Sequence, residues 1–432
     1  MPERIIIVGA GQAGLALSHE LTQRGHDHVV LDRGRIAERW RSQRWDSFRL
    51  LSPNWHTRLP GHRYDGPDPD GFMCRDEVVG MFERYAASFQ APVIENTTVE
   101  RARRIGSTWA VATSGGELRG SQLVVATGPH DLPRVPSQAR GLAAGLEQMH
   151  AADYRNPEQL APGGVLVVGA GPSGQQLASE LARAGRQVML AVGRHRRLPR
   201  SYRGRDAFWW MEQTGASEVT VDQLDRAERR RPPGHVVLTG GRELSLTELA
   251  EDGVMLLGRL AAVDGWRIHL GDNLADDHLD AELAAIRFMD RADEHARYRG
   301  LTLPDPPVRP SLEPPPWTRR AVPSVDLRHA GIRTVLWATG YRRDFRWIQA
   351  PAFDAHGEPI HRRGITPIPG LAFLGLTWLY RRASASIDGV GRDARYLADA
   401  LTSDAATYPA PVLTPTSSRS RIGVGGATSR PR

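Results

Sequence analysis

The sequence contains no lysine, and all 56 basic residues are arginine. Such usage reads as a composition bias rather than as a site. Against 49 acidic residues it leaves a formal charge of +7. The arginines are scattered rather than striped, and no nucleic-acid motif accompanies them, so nucleic acid is not an expected partner. A single cysteine, Cys74, is present. It excludes an internal disulfide and any Cys-x-x-Cys redox pair. No apolar run approaches the roughly 20 residues of a membrane helix, and no membrane partner is expected. Met1-Pro2-Glu3-Arg4 runs straight into an apolar strand, which leaves no room for a signal peptide and makes a cytoplasmic location the expectation. Metal-ligand spacing is missing too. No His-x-x-x-His pair occurs, and the closest histidines, His26 and His28, read as a solvated turn, so no metal is expected.

What is present is a pair of glycine-rich turns of one design, in a chain of 432 residues that is long enough for two domains with full cores. The first is Ile5-Ile6-Ile7-Val8-Gly9-Ala10-Gly11-Gln12-Ala13-Gly14. The second is Val165-Leu166-Val167-Val168-Gly169-Ala170-Gly171-Pro172-Ser173-Gly174. Each apolar run reads as a buried parallel strand, and the glycines then open a helix. Gly9 and Gly169 permit the tight turn, Gly11 and Gly171 let the backbone approach a pyrophosphate, and Gly14 and Gly174 let helix and strand pack closely. The anion sits on the free N–H groups and positive end of the helix, where Ser173 also stands. Two such turns predict an α/β fold with two Rossmann-like domains, one for FAD and one for NADPH.

The strands that follow the two turns end differently. Val29-Val30-Leu31 closes on Asp32, where a carboxylate suits a free ribose hydroxyl, as in FAD. The strand from Gln187 to Val192 ends without an acid and runs into Gly193-Arg194-His195-Arg196-Arg197-Leu198-Pro199-Arg200. Guanidinium groups bind a 2′-phosphate that a carboxylate would repel, so the second site suits NADP. A solvated basic loop is the bland alternative, and the spacing does not separate Arg194, Arg197 and Arg200 as the phosphate ligand.

Elsewhere, Arg39-Trp40-Arg41 through Trp55 is rich in aromatics without a clear period, and reads as a loop with specific work. Helices are expected over Asp76–Phe89, Leu274–Tyr298 and Arg392–Leu401, the last preceded by Asp388-Gly389. Short strands are expected from Val93 to Ala126, with a hairpin turn at Gly115-Gly116. Ala126-Thr127-Gly128 has a near twin in Ala338-Thr339-Gly340, and these read as crossings between domains. They place an FAD domain over 1–128 and 335–407, an inserted NADPH domain over 129–334, and a disordered tail over 408–432. Phe208-Trp209-Trp210-Met211 reads as core, with the lining of a substrate path as the alternative. Arg229-Arg230-Arg231-Pro232-Pro233-Gly234 reads as a solvated loop, and Pro304–Pro316 as an extended connector.

Together these segments resemble the class B flavin-dependent monooxygenases, which include flavin-containing, N-hydroxylating and Baeyer–Villiger enzymes. The resemblance covers roughly residues 4–401 in motif order. The family's identifying sequence is Phe-x-Gly-x-x-x-His followed by an aromatic and often a lysine. Only its second half stands here, as His150, Tyr154 and Arg155, with Ala144 and Leu146 at the Phe and Gly positions. The resemblance implies that NADPH reduces FAD, that oxygen adds to the flavin C4a carbon, and that the hydroperoxide oxygenates a small organic substrate. It assigns Asn54, His150, Tyr154 and Arg155 to catalysis. Arg39, Trp40, Thr127, Gly128, Thr339, Gly340 and Asp388 join the glycines, Asp32, Ser173, Arg194 and Arg197 in the cofactor set. A flavoprotein NADPH reductase or oxidase with a non-disulfide acceptor is the alternative, and a silent dinucleotide-binding scaffold a third reading. Substrate identity and the choice among nitrogen, sulfur and carbonyl attack stay open, as does a homo-oligomeric state.

Overall fold

The computed structural model describes residues 4–224, 236–237, 243–319 and 322–403. The expected tail and the Arg229–Gly234 loop lie outside them. The first layer is built from β1 (Ile5–Val8), α1 (Gln12–Gln23), β2 (His28–Leu31), α2 (Arg75–Ser88) and β3 (Val93–Ile94). An antiparallel meander follows, of β4 (Val99–Ile105), β5 (Thr108–Thr113) and β6 (Gly116–Gly120), before β7 (Gln122–Val125) rejoins the layer. The first sheet runs in the order Leu371–Phe373, β7, β1, β2, β3, with every pairing parallel. All four residues of β1 are buried. A parallel strand covered on both faces reads as an unbroken apolar run, which is why Ile5-Ile6-Ile7-Val8 shows no alternation.

The second layer repeats the plan with β8 (Glu147–His150), β9 (Gly164–Val168), α3 (Pro172–Arg183), β10 (Val188–Ala191), α4 (Ala207–Gln213), β11 (Met255–Leu257), α5 (Leu274–Arg299) and β12 (Ile332–Trp337). Its parallel order is β8, β12, β9, β10, β11. The chain returns through β13 (Leu371–Phe373) and closes with α6 (Val390–Thr402), which packs on α1. The structure is thus α/β with two parallel sheets, the second inserted between strands of the first.

The expected domain boundary at 335 needs correction. Val335, Leu336 and Trp337 pair with both β8 and β9, so the chain stays in the second sheet through Trp337 and crosses at Ala338-Thr339-Gly340. A central apolar strand cannot be divided between two layers without exposing its backbone. The two crossings share one geometry: Ala126 N–H donates to the Val8 carbonyl at 2.8 Å and Ala338 N–H to the Val168 carbonyl at 2.9 Å. Each alanine carbonyl then presses on the first glycine of its turn. A Cβ on Gly9 would stand 2.6 Å from the Ala126 oxygen, and one on Gly169 would stand 2.5 Å from the Ala338 oxygen.

The aromatic cluster divides. Trp210 is buried and donates to the Tyr202 carbonyl at 2.8 Å, as core should. Half-buried Phe208 lines the central cavity, and Met211 is buried in the same core cluster while also touching that cavity.

Buried histidines, His278 and His361 among them, make this fold sensitive to acid. His278 on α5 packs edge-on against Trp317, and burial pushes its pKa down to about 4. Burial, with Arg343 nearby, does the same for His361, also to about 4. Both start from an ordinary value of 6.5. Between those limits the unfolded chain binds protons that the native state refuses. The stability is therefore complete above pH 6.5 and lost as pH falls toward 4. Calorimetric scans across that window should show Tm dropping by about 4 °C or more, and His278→Gln should flatten the slope.

Candidate functional site

A cavity of about 2420 Å³ opens between the two glycine turns. Pockets for a single small ligand are usually about 300–1,000 Å³, so this one has room for two dinucleotides. Gln12 and Trp40 line it from the first layer, Gly171, Pro172, Ser173 and Arg194 from the second, and Thr339 and Gly340 from the second crossing. At both turns the helix starts without a side-chain cap, and a Cβ on Gly11 or Gly171 would meet nothing within 4 Å. The first-turn N–H groups of α1 and α3 therefore face open space suited to an anion. Asp32 knots the first turn to the end of β2. Its carboxylate accepts from Ala10 N–H at 2.7 Å and Gly34 N–H at 2.9 Å, which leaves lone pairs for a ribose hydroxyl.

Arg39 is committed inside the protein. Its guanidinium donates to the Asp131 carboxylate at 2.5 Å and carbonyl at 3.0 Å, and to the His130 carbonyl. It thereby fixes the segment just after the first crossing. Thr127 and Gly128 themselves stand back from the cavity, which Pro129 and His130 line instead. Thr339 reaches it but spends its hydroxyl on the Arg134 carbonyl. Arg44, which the sequence did not single out, lies over the Trp40 ring at 5.1 Å and also lines the cavity.

The four expected catalytic residues do not form one site. His150 lines the cavity, yet both ring nitrogens are engaged. Nε2 faces the Gly340 carbonyl at 3.1 Å, and Nδ1 accepts from Ala152 N–H at 3.1 Å. Burial lowers its pKa, so the imidazole is neutral and pins the second crossing. Tyr154 is fully buried and donates its hydroxyl to Glu180 on α3 at 3.1 Å; Ser47 holds the other oxygen of that carboxylate. Arg155 donates to the carbonyls of Ala152 at 2.9 Å and Tyr154 at 2.8 Å, and to that of Ser42. Asn54 donates to the Asp68 carbonyl and accepts from Met73 N–H, both at 2.9 Å, so its amide stitches one loop to another. Asn54, Tyr154 and Arg155 thus spend their polar groups on backbone or helix contacts and do not line the cavity. Tyr154→Phe should therefore keep turnover within about twofold while losing about 1–2 kcal/mol of stability, measured by steady-state assay and urea unfolding.

The arginines after β10 separate on the same grounds. Arg197 is paired with Glu243 at 2.9 Å and Glu282 at 3.3 Å, and Arg200 is buried against Asp206 with a bond to the Leu51 carbonyl at 2.6 Å. Arg194 is exposed at the cavity rim and has no ion pair among the described residues. Two carboxylates already use the fork of Arg197, the other arginine expected in the cofactor set.

One constellation escaped the sequence altogether. His56, Glu212 and Asp388 come together at the cavity from a turn, the end of α4 and the approach to α6. Asp388 lines the cavity with its carboxylate turned to His56, which adds a neighbour to the cofactor role expected of it. Burial pushes His56 down to about 4 and raises the Asp388 pKa. Positions so far apart offer no spacing to read; Pro53-Asn54-Trp55 marked the turn without marking its histidine.

Comparison with known proteins gives this geometry a family context. Residues 6–205 match the family described as pyridine nucleotide-disulphide oxidoreductase. A CzcO-like uncharacterized oxidoreductase of Geobacillus kaustophilus is 33% identical over 397 residues, covering 91% of this chain and 96% of that protein. A flavin-containing monooxygenase from Stenotrophomonas maltophilia shares the fold with a TM-score of 0.63 at 18% identity, over 92% of this chain and 98% of that one. OTEMO, in complex with FAD and NADP, shares it with a TM-score of 0.51 at 15% identity, over 92% and 85% of the two chains. No described helix is long and apolar enough to cross a membrane.

Proposed function

The chain belongs to the CzcO-like oxidoreductases, within the two-dinucleotide-domain flavoproteins that include the class B flavin monooxygenases, and from that premise we propose that it is an NADPH- and FAD-dependent monooxygenase acting with O2 on a small organic substrate. The observation that carries the reading is the cavity shared by two glycine turns of the same geometry, wide enough for two dinucleotides. FAD fits the first layer and the C-terminal return, residues 4–128 and 339–403. Its pyrophosphate goes to the open N-terminus of α1 and its ribose to Asp32. NADPH fits the inserted layer, residues 129–338, with its pyrophosphate at Gly171 and Ser173 and its 2′-phosphate at Arg194.

Bound flavin supplies the redox and oxygen-activating chemistry; the protein orients it and keeps water out. His150 fixes the second crossing through Gly340, so the chain there keeps a constant approach to the cofactor. The His56–Phe208 side of the cavity joins aromatic rings to the Asp388 carboxylate, so it offers an organic substrate both apolar and polar contacts. With Cys74 as its single cysteine, the chain has no Cys-x-x-Cys redox pair.

The test is isotopic. With NADPH and 18O2, a panel of amines, sulfides and ketones should yield at least one product carrying a single labelled oxygen. Oxidation of NADPH supported by quinones, with no labelled product, would instead make the protein a reductase.

A further inference from the structure

We propose that His56, Glu212 and Asp388 form a binding site for one divalent first-row transition-metal cation. His56 Nε2 lies 3.6 Å from Glu212 Oε1 and 3.3 Å from Asp388 Oδ2, and the three ligand atoms all fall within 4.8 Å of one another. Metal–nitrogen and metal–oxygen bonds of about 2.0–2.1 Å in a tetrahedron set ligands about 3.3–3.4 Å apart. The Asp388 separation already matches that spacing, and the Glu212 carboxylate must move closer to the imidazole to meet it.

The imidazole supplies the second, independent indication. His56 is 4% exposed, and its Nε2 is a buried nitrogen without a hydrogen-bond partner. A buried polar atom left unpaired costs about 1–3 kcal/mol, so one aimed between two carboxylates calls for a group that can bind all three. The charges agree. Arg58 pairs with the same Oε1 of Glu212, so in the occupied site that carboxylate would serve both the guanidinium and the ion. Asp388 accepts from the Ser386 hydroxyl at 2.7 Å, and its Oδ2 faces His56 Nε2 at 3.3 Å. Arg58 and Arg392 act on the Asp388 carboxylate from a distance, and a metal ion would add a cation in direct contact with it.

One nitrogen and two oxygens suit zinc(II) or manganese(II) more than copper(I) or an iron–sulfur cluster, both of which need sulfur ligands. The open coordination positions face the cavity that Phe208 and Asp388 line. The ligands come from the first layer, from the inserted layer and from the C-terminal return, so the ion would also clamp the cavity shut.

The purified full chain, stripped with chelator and exchanged into metal-free buffer, should be titrated calorimetrically with zinc chloride. One equivalent is expected with Kd below about 1 µM. His56→Ala and Glu212→Gln, checked as folded by circular dichroism, should each weaken binding by at least about 100-fold, beyond the usual cost of removing an outer-shell partner. Zinc K-edge absorption on the wild-type chain needs no variant and should show one imidazole nitrogen with oxygen ligands at about 2.0–2.1 Å. No stoichiometric uptake by the folded wild type would overturn the proposal. So would equal affinity in both variants, or a K-edge shell with more than one imidazole or with sulfur.

Discussion

Gly174→Ala protein should purify with its full complement of flavin and yet be reduced by NADPH at least about 100-fold more slowly than the wild type. A Cβ at this position would stand 1.8 Å from the Gly169 carbonyl oxygen and 3.2 Å from the Ala338 Cβ. Backbone oxygen cannot swing aside as a flexible side chain can, so α3 must lift from β9 and the anion seat at its N-terminus opens. A misplacement of about 1 Å at the seat of a hydride donor is enough for an effect of this size. The twin substitution separates the two sites. Gly14→Ala puts a Cβ 1.8 Å from the Gly9 oxygen and should release the flavin, leaving a protein with less than roughly one-tenth of the wild-type colour. Absorbance at purification and anaerobic stopped-flow reduction read the two outcomes. If Gly174→Ala lost flavin and Gly14→Ala kept it, the assignment of cofactors to layers would be reversed.

Arg194→Ala should raise the KM for NADPH about 30-fold and leave that for NADH within about twofold, because only the 2′-phosphate loses a charge-assisted contact. Arg197→Ala should behave in the opposite way. Its guanidinium is held between Glu243 and Glu282, and burial already raises the Glu282 pKa, an effect that Arg197 opposes. Removing it should cost about 2–3 kcal/mol of stability and leave the ratio of NADPH to NADH preference unchanged. Steady-state kinetics with both coenzymes, together with urea unfolding of both variants, separate a phosphate ligand from a structural ion pair. A loss of NADPH preference confined to Arg197→Ala would refute the assignment.

The contrast between those arginines explains what could be read from the chain and what could not. A strand–turn–helix for a dinucleotide is local. The close approach of Gly14 to Gly9, and of Gly174 to Gly169, lies within one short stretch, so the fold class follows from the sequence. The paired Ala-Thr-Gly segments were legible for a different reason, their likeness to each other, although each meets the first glycine of its turn only across a long stretch of chain. The end of the insertion was not, because Val335, Leu336 and Trp337 look the same whichever sheet they join.

Side-chain roles depend on distant partners. Tyr154 kept its place in a recognisable pattern, but its hydroxyl meets Glu180 and Arg155 meets Ser42, contacts that no spacing announces. The same holds for His56, which gains its meaning from Glu212 and Asp388. A motif remnant can thus persist as a structural tie while the residues facing the cavity go unmarked.

Oxygen reactivity of the reduced protein tests the monooxygenase account most directly. The chain is reduced anaerobically with one equivalent of NADPH, then mixed in a stopped-flow instrument with oxygenated buffer, with and without added NADP⁺. The account predicts reoxidation through a distinct spectral phase that lasts longer when NADP⁺ is present. Direct return to the oxidised spectrum in one step, at a rate indifferent to NADP⁺ and outpaced by added quinone, would contradict it.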